Sequence, residues 1–218
     1  MKKYYALLRY KPNLRILSSI QFICYFGMWF SHTGIFTLLI QMSAPVWAIT
    51  LAAAMAFIPN VLLAPINGVI VDKFTPKKLM LLMLFIETIT VFMLVFIDDI
   101  SLLWLLFVII FVRMGVGVVY FQTEMSLLPN LMNKKNLKLA NEIHSIIWAV
   151  SYTAGMGLAG IFIHYFGIKA SFLFDFGLYI FGMILLTQLK APQIIKSTKN
   201  IKEDLNKIVP TVNIRGKW

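Results

Sequence analysis

Apolar residues run along this chain in long, nearly unbroken stretches. They do not alternate as in a half-buried strand, nor recur every three to four residues as on one face of a surface helix. Six stretches stand out: Ile16–Ile40, Val46–Val71, Leu79–Ile97, Leu102–Tyr120, Ile143–Phe166 and Ser171–Leu189. About 20 apolar residues in a helix rising 1.5 Å per residue cross the roughly 30 Å of a bilayer's hydrocarbon. The segments between them are short and polar or turn-forming, such as Gln41-Met-Ser-Ala-Pro45 and Asp98-Asp-Ile-Ser101. The pattern therefore predicts an all-α membrane protein of six transmembrane helices. It divides into a basic segment at 1–15, a bundle at 16–189 and a polar, basic tail at 190–218.

Charge adds orientation. The 218 residues carry 20 Lys and Arg against 9 Asp and Glu, a formal net charge of +11. Such an excess on a soluble domain would suggest a nucleic-acid partner. Here, however, every basic residue except Arg113 and Lys169 falls before the first span, between the second and third, between the fourth and fifth, or after the sixth. Those four segments share one side of a six-span bundle, so the charge follows the positive-inside rule and both termini are expected to be cytoplasmic. Nucleic acid is not an expected partner. Anionic lipid is, at about 1 kcal/mol per basic residue near the surface. Trp47 and Trp104 open the opposite ends of their spans, where interfacial tryptophans belong. Arg9, Lys11 and Arg15 interrupt any short apolar core at the start, so no cleavable signal peptide is expected.

Composition excludes several classes. The chain is 60% hydrophobic and 13% charged, against about half and a quarter for soluble domains, and its mean hydropathy is +0.81. The single cysteine, Cys24, rules out a disulfide framework or a Cys-based metal cage. His32, His144 and His164 form no pair at metal-ligand spacing, and no nucleophile elbow or phosphate loop is present, so neither enzyme chemistry nor a cofactor is expected. Gly155-Met-Gly157-Leu-Ala-Gly160 matches the dinucleotide fingerprint. That fingerprint needs a preceding strand and a phosphate at a helix start, whereas these glycines lie mid-span, where small residues permit close helix packing.

The connection between spans two and three is Gly68-Val-Ile-Val-Asp72-Lys73-Phe-Thr-Pro76-Lys77-Lys78. Gly68 is expected to admit a close neighbour, and Thr75 with Pro76 to start the third helix. Asp72 falls at the C-terminal end of a helix, where the macrodipole disfavours an anion. Either the local lysines or the positive end of another helix offsets it, or the segment is a solvated charged turn that only fixes topology.

This loop resembles the Gly-x-x-x-Asp-Arg/Lys-x-x-Gly-Arg/Lys-Arg/Lys signature of the major facilitator superfamily. Gly68, Asp72, Lys73, Lys77 and Lys78 fall on it, and Pro76 stands at the second glycine. Pro59-Asn-Val-Leu-Leu-Ala-Pro65-Ile-Asn-Gly68, Leu128-Pro-Asn-Leu-Met-Asn-Lys-Lys-Asn-Leu-Lys-Leu-Ala-Asn141 and Ala170-Ser-Phe-Leu-Phe-Asp175 are similar to segments of bacterial macrolide- and enterobactin-type exporters. The resemblance spans about residues 8–190. It implies an alternating-access transporter of the bacterial cytoplasmic membrane, built from two six-helix halves that are each a three-plus-three inverted repeat. It also implies that Asp72 and the loop form a conformational switch, the aspartate pairing with a helix end in the other half.

Ionisable residues at membrane depth are functional candidates by default, because each costs at least about 2.5–3.5 kcal/mol at the centre. Arg113 lies about 16 Å into the fourth span. The resemblance gives it substrate binding or proton coupling, the competing reading being an ion pair with Glu87, which lies at similar depth. Glu87 and Asp175 are the other candidates. Asp175, close to the outer interface, reads more readily as a helix-start residue, and Glu124 as a neighbour of the lysine-rich loops. In the fifth span Gly155, Ala159 and Gly160 fall on part of the antiporter Gly-Pro-x-x-Gly-Gly motif. Met156 stands at its proline, which removes the kink and leaves helix packing.

Taken together, these readings describe the N-terminal half of a secondary-active, proton-driven exporter of small molecules of unspecified chemistry. Two alternatives stay open. One is a transport-inactive chain, either a truncated or frameshifted remnant or a membrane interaction partner, since the tail after Leu189 leads to no seventh span. The other is a small carrier active as a homodimer. The expected partners are lipid, substrate, and a second six-helix half or a second copy.

Overall fold

The computed structural model describes residues 2–190, and these are helical nearly throughout. The predicted polar tail beyond Lys190 lies outside the described residues. In chain order the helices are α1 (Lys2–Tyr10), α2 (Pro12–Gln41), α3 (Val46–Met55), α4 (Ile58–Lys73), α5 (Pro76–Leu94), α6 (Leu103–Leu131), α7 (Lys134–Phe166) and α8 (Ile168–Gln188).

The six predicted spans are all helical, with three departures. The basic start of the chain is not a plain tether, because α1 precedes the first span. Its Leu7 is buried, its Tyr4 hydroxyl donates to Glu142 on α7 at 3.1 Å, and Pro12 opens α2 four residues early. The second span is two helices rather than one. Pro59 lacks an amide proton and its ring clashes with the carbonyl four residues back, at Met55, so α3 ends there and α4 restarts at Ile58. Finally, the fourth and fifth helices run on past the apolar stretch that announced them, to Leu131 and from Lys134. Lysine and glutamate are good helix formers, so polarity ends the hydrocarbon crossing without ending the helix.

Five of the helical segments are long and apolar enough to cross a membrane: α2, α3 with α4, α6 with the 3₁₀ turn before it, α7 and α8. The third span, α5, has 19 residues but carries Lys77 and Lys78 in its first turn and Glu87 beyond its middle. It packs between α6 and α8. Thr75 precedes it in extended backbone without capping it through its side chain. Between α7 and α8 the chain turns in a single residue, Gly167, at φ +82°, a conformation costly to any residue with a Cβ.

The helices form an arc in the order α7, α2, α8, α5, α6, α4, with α3 beside α6. Inside the arc α2 faces α6. The end members are the exposed ones: 17% of the apolar window is buried in α3–α4 and in α7, against 56% in α2 and 50% in α6. Outward-facing Phe85, Phe92, Phe181 and Ile184 give α5 and α8 the apolar exterior that lipid requires.

All the ends that carry the basic residues lie at one end of the bundle. Asn13 Nδ2 donates to the Lys190 carbonyl at 2.8 Å, and Lys77 Nζ donates to the carbonyls of Thr187 and Leu189 at 2.7 and 2.8 Å. Trp47 and Trp104 meet at the other end, ring centroids 6.2 Å apart, where Lys169 also pairs with Asp98 at 3.3 Å. Lys77 thus holds the open C-terminus of α8, where the helix dipole favours a cation. Lys77→Ala is expected to lower stability by about 1 kcal/mol, read as a lower denaturant midpoint in detergent. An unchanged midpoint would show that these two hydrogen bonds contribute nothing.

Candidate functional site

Four helices bring polar side chains to one point at mid-depth. Arg113, on α6, is 1% exposed. Its Nη2 lies 3.1 Å from Asp175 Oδ2 on α8 and donates to Ser31 Oγ on α2 at 2.9 Å, while its Nε lies 3.4 Å from Glu87 Oε2 on α5. The guanidinium carbon stands 5.9 Å from the ring centre of Tyr179 on α8, within cation–π range. Glu87 and Asp175 are buried as deeply as the arginine.

Local sequence makes this convergence possible. α2 presents Gly27 and Gly34 toward α8. A Cβ on Gly27 would collide with Asp175 Oδ1, and one on Gly34 would lie 2.8 Å from Phe172. α8 returns the favour at Gly182, where a Cβ would be 2.8 Å from the Cys24 sulfur. On α6, a Cβ at Gly117 would meet Met28 Sδ at 3.4 Å and Glu87 Oε1 at 3.7 Å, ordinary contacts that do not require glycine. Helices packing in lipid depend on small residues such as Gly27, Gly34 and Gly182 for close contact.

Arg113, Glu87 and Asp175 therefore meet, which no single spacing in the sequence displays. Asp175 is no helix-start residue. α8 begins at Ile168, seven residues earlier, which puts the carboxylate about 10 Å inside the helix. Arg113 also points into the six-helix bundle rather than out of it, and both of its neighbouring anions are already in place. With both carboxylates ionised the cluster carries one arginine charge against two, leaving one negative charge in excess. In hydrocarbon such an excess is costly, and one proton or one cation would balance it.

Glu124 corrects the reading that placed it among the lysine-rich loops. It is fully buried, its Oε1 lies 3.2 Å from His144 Nδ1, and its Oε2 accepts from the Tyr25 hydroxyl at 3.3 Å. His32 is buried against Trp29 and Phe36, with ring centroids 5.5 and 5.0 Å away. Trp148 is 43% exposed and stacks on Tyr152.

The loop residues do not join the cluster. Asp72, Lys73 and Lys78 are exposed at the basic end. No close neighbour meets Gly68, where a Cβ would find nothing within 4 Å among the described residues. The three small residues of α7 also divide. Gly155 is in tight contact, a Cβ there lying 2.7 Å from the Phe26 carbonyl oxygen, and Ala159 is fully buried. Gly160 faces outward with nothing within 4 Å, because it stands off the stripe that α7 turns to α2. The dinucleotide-like glycines lie in mid-helix, with no strand before them.

A multi-span helical bundle with an ion cluster sealed at mid-depth is the architecture of an integral membrane protein. A model of the Major Facilitator Superfamily matches residues 17–216, and the chain belongs to that family. The match continues past residue 190, where the recognisable motifs stop. The chain is 26% identical over 147 residues to the uncharacterized MFS-type transporter YkuC of Bacillus subtilis (strain 168), covering 66% of this chain and 34% of that protein. It is 25% identical over 181 residues to the uncharacterized MFS-type transporter YfiS of the same organism, covering 83% and 43%. It thus spans less than half the length of these relatives. In fold it is similar to the POT family transporter PepTSo, with a TM-score of 0.69 at 13% identity over 87% of this chain and 40% of that one.

Proposed function

We propose that this chain is one six-helix half of a proton-driven exporter of small molecules in a bacterial cytoplasmic membrane, both termini facing the cytoplasm. The observation that carries the reading is the cluster of one guanidinium and two carboxylates held at mid-depth by α2, α5, α6 and α8. Its single excess negative charge suits a site that gains and loses one proton. Protonating Asp175 removes one of the two anions on Arg113 and leaves Glu87 as its counter-ion. The tie between Arg113 and α8 then loosens while that between Arg113 and α5 tightens, so protonation changes which helices the guanidinium holds together. Arg113 is better suited to this task than to holding an anionic substrate, because its own carboxylates occupy it.

The second half would cover α3–α4 and α7, the two spans with the least burial inside this one. Asp72, exposed beside the C-terminal end of α4, would face a helix end of that partner, which would offset the unfavourable dipole at its own. The export direction rests on the likeness of the Pro59–Gly68, Leu128–Asn141 and Ala170–Asp175 stretches to bacterial exporters.

Two measurements test this. Because Cys24 is buried, Lys78→Cys supplies a single accessible thiol. A membrane-impermeant maleimide is expected to label it in inside-out vesicles and not in intact cells, and labelling of intact cells would overturn the orientation. For function, everted vesicles bearing the chain together with a second six-helix half are screened with lipophilic dyes. Uptake driven by the proton gradient is expected, and it should be lost in Asp175→Asn. Uptake that survives both collapse of the gradient and Asp175→Asn would remove proton coupling.

A further inference from the structure

About 16 Å from Arg113 along α6, eleven residues toward the basic end, a second charged group is sealed into the bundle. Glu124 joins three helices, meeting His144 on α7 and Tyr25 on α2 at the distances given above. Gln21, also on α2, donates its amide to the His144 carbonyl at 3.2 Å. His144 is 2% exposed, and neither of its ring nitrogens has a hydrogen-bond partner among the described residues, Nδ1 meeting Glu124 as an ion-pair contact alone. The titratable groups facing Glu124 are Tyr25 and Cys24 from α2, Tyr120 from α6 itself and His144 from α7. None of them belongs to the Arg113 cluster.

Aromatic hydroxyls stand between the two sites, and the buried Cys24 thiol is near both. The rings of Tyr25 and Tyr120 meet edge-on with centroids 6.3 Å apart, and the Tyr120 hydroxyl is buried without a hydrogen-bond partner among the described residues. Tyr179 lies under Arg113, and its neighbours include Glu87, Asp175 and Tyr120. A phenol both donates and accepts, so it can receive one proton while giving up another and end unchanged.

We propose that Glu124 and His144 form a second proton-holding site, in series with the carboxylates around Arg113 and joined to them through Tyr179, Tyr120 and Tyr25. An O–H bond breaks at Asp175 or Glu87 and each phenol passes one proton on; the Glu124 carboxylate takes it from Tyr25 at Oε2 and gives it up from Oε1, so that an N–H bond forms at His144 Nδ1. The donor is left a carboxylate beside Arg113, and the imidazolium is paired by Glu124. Its two states differ in whether α6 and α7 are tied by an ion pair. The relay's purpose rests on the transport reading; its existence does not.

The test is infrared pH-difference spectroscopy of the full chain in lipid nanodiscs without substrate, between about pH 5 and about pH 8, where histidine changes charge. The wild type is expected to show imidazole and carboxyl bands that titrate together. His144→Gln should lose the imidazole band, and Glu124→Gln should lose a carboxyl band and move the pH at which the imidazole band appears. Spectra of Glu124→Gln and wild type that superimpose would overturn the proposal, as would an imidazole band that His144→Gln leaves intact. Tyr120→Phe keeps the ring and removes only the hydroxyl. It should retain both bands and lose the fast phase after a pH jump, and an unchanged rate would remove the phenols from the path. Flux that persists while the spectra superimpose would sink this proposal alone. Titrating bands without flux in the paired halves would sink the transport reading alone.

Discussion

Arg113→Ala is expected to destabilise the bundle by about 3–5 kcal/mol, the range for removing one partner of a buried ion pair. The loss comes less from the attraction removed than from what stays behind. Glu87 and Asp175 are both sealed from solvent, and without the guanidinium they are two like charges in one dry site, with Ser31 the remaining polar neighbour on α2. The triple variant Arg113→Met, Glu87→Gln, Asp175→Asn removes every charge at nearly constant volume and should recover most of that stability, since well-packed neutral replacements of buried ion pairs are often neutral or stabilising. It should recover no proton coupling. Denaturant or thermal unfolding of the three proteins in one detergent reads the stability, and proton-driven uptake in the paired halves reads the function. A triple variant as unstable as Arg113→Ala would mean that the guanidinium acts through its packing. A triple variant that still couples protons would mean that the cluster is structural.

The spans, and the gathering of the basic ends at one end of the bundle, were legible because both follow from solvent alone. Twenty apolar residues fit one bilayer, and basic residues gather on one side of it. The break at Met55–Ile58 was foreshadowed by Pro59, and the length of α6 and α7 was not, because hydropathy marks where lipid ends and not where a helix does. Within the site, Arg113 and Glu87 were readable as a pair from equal depth. Asp175 was not, since its depth was measured from a helix start placed three residues late. Glu124 was misread for a different reason, its closeness in sequence to the lysine-rich loop. Helical phase held the correction, because Arg113, Gly117, Tyr120 and Glu124 recur at intervals of four, three and four and must share one face of α6. Tyr179 follows Asp175 by four and was available in the same way. What phase cannot supply is the partner helix. Ser31 and His144 were brought to these faces by Gly27, Gly34 and Gly155, whose role emerges only from the approach of one backbone to another.

Gly155→Val gives the largest effect expected from packing alone. α7 rests on α2 for most of its contact with the bundle, and at Gly155 the two backbones are in tight contact. A Cβ there would lie 2.7 Å from the Phe26 carbonyl oxygen, 3.1 Å from Trp29 Cβ and 3.3 Å from the Phe30 amide nitrogen. Two of those three are backbone atoms that cannot rotate aside, so the helices must separate. Overpacking of this kind costs about 1–3 kcal/mol, occasionally more, and in lipid no hydrophobic force draws the helices back together. The displacement also reaches further, because it carries Ser151 away from the Phe22 carbonyl, now 3.3 Å off, and His144 away from Glu124. The controls are on the same helix. Gly157→Val and Gly160→Val meet nothing within 4 Å and should melt close to wild type, although all three substitutions are chemically identical. Thermal unfolding of the four proteins in one detergent decides it. Equal loss in all three variants would trace the effect to valine in a helix, and loss at Gly160 but not at Gly155 would place the α2–α7 contact on the wrong face.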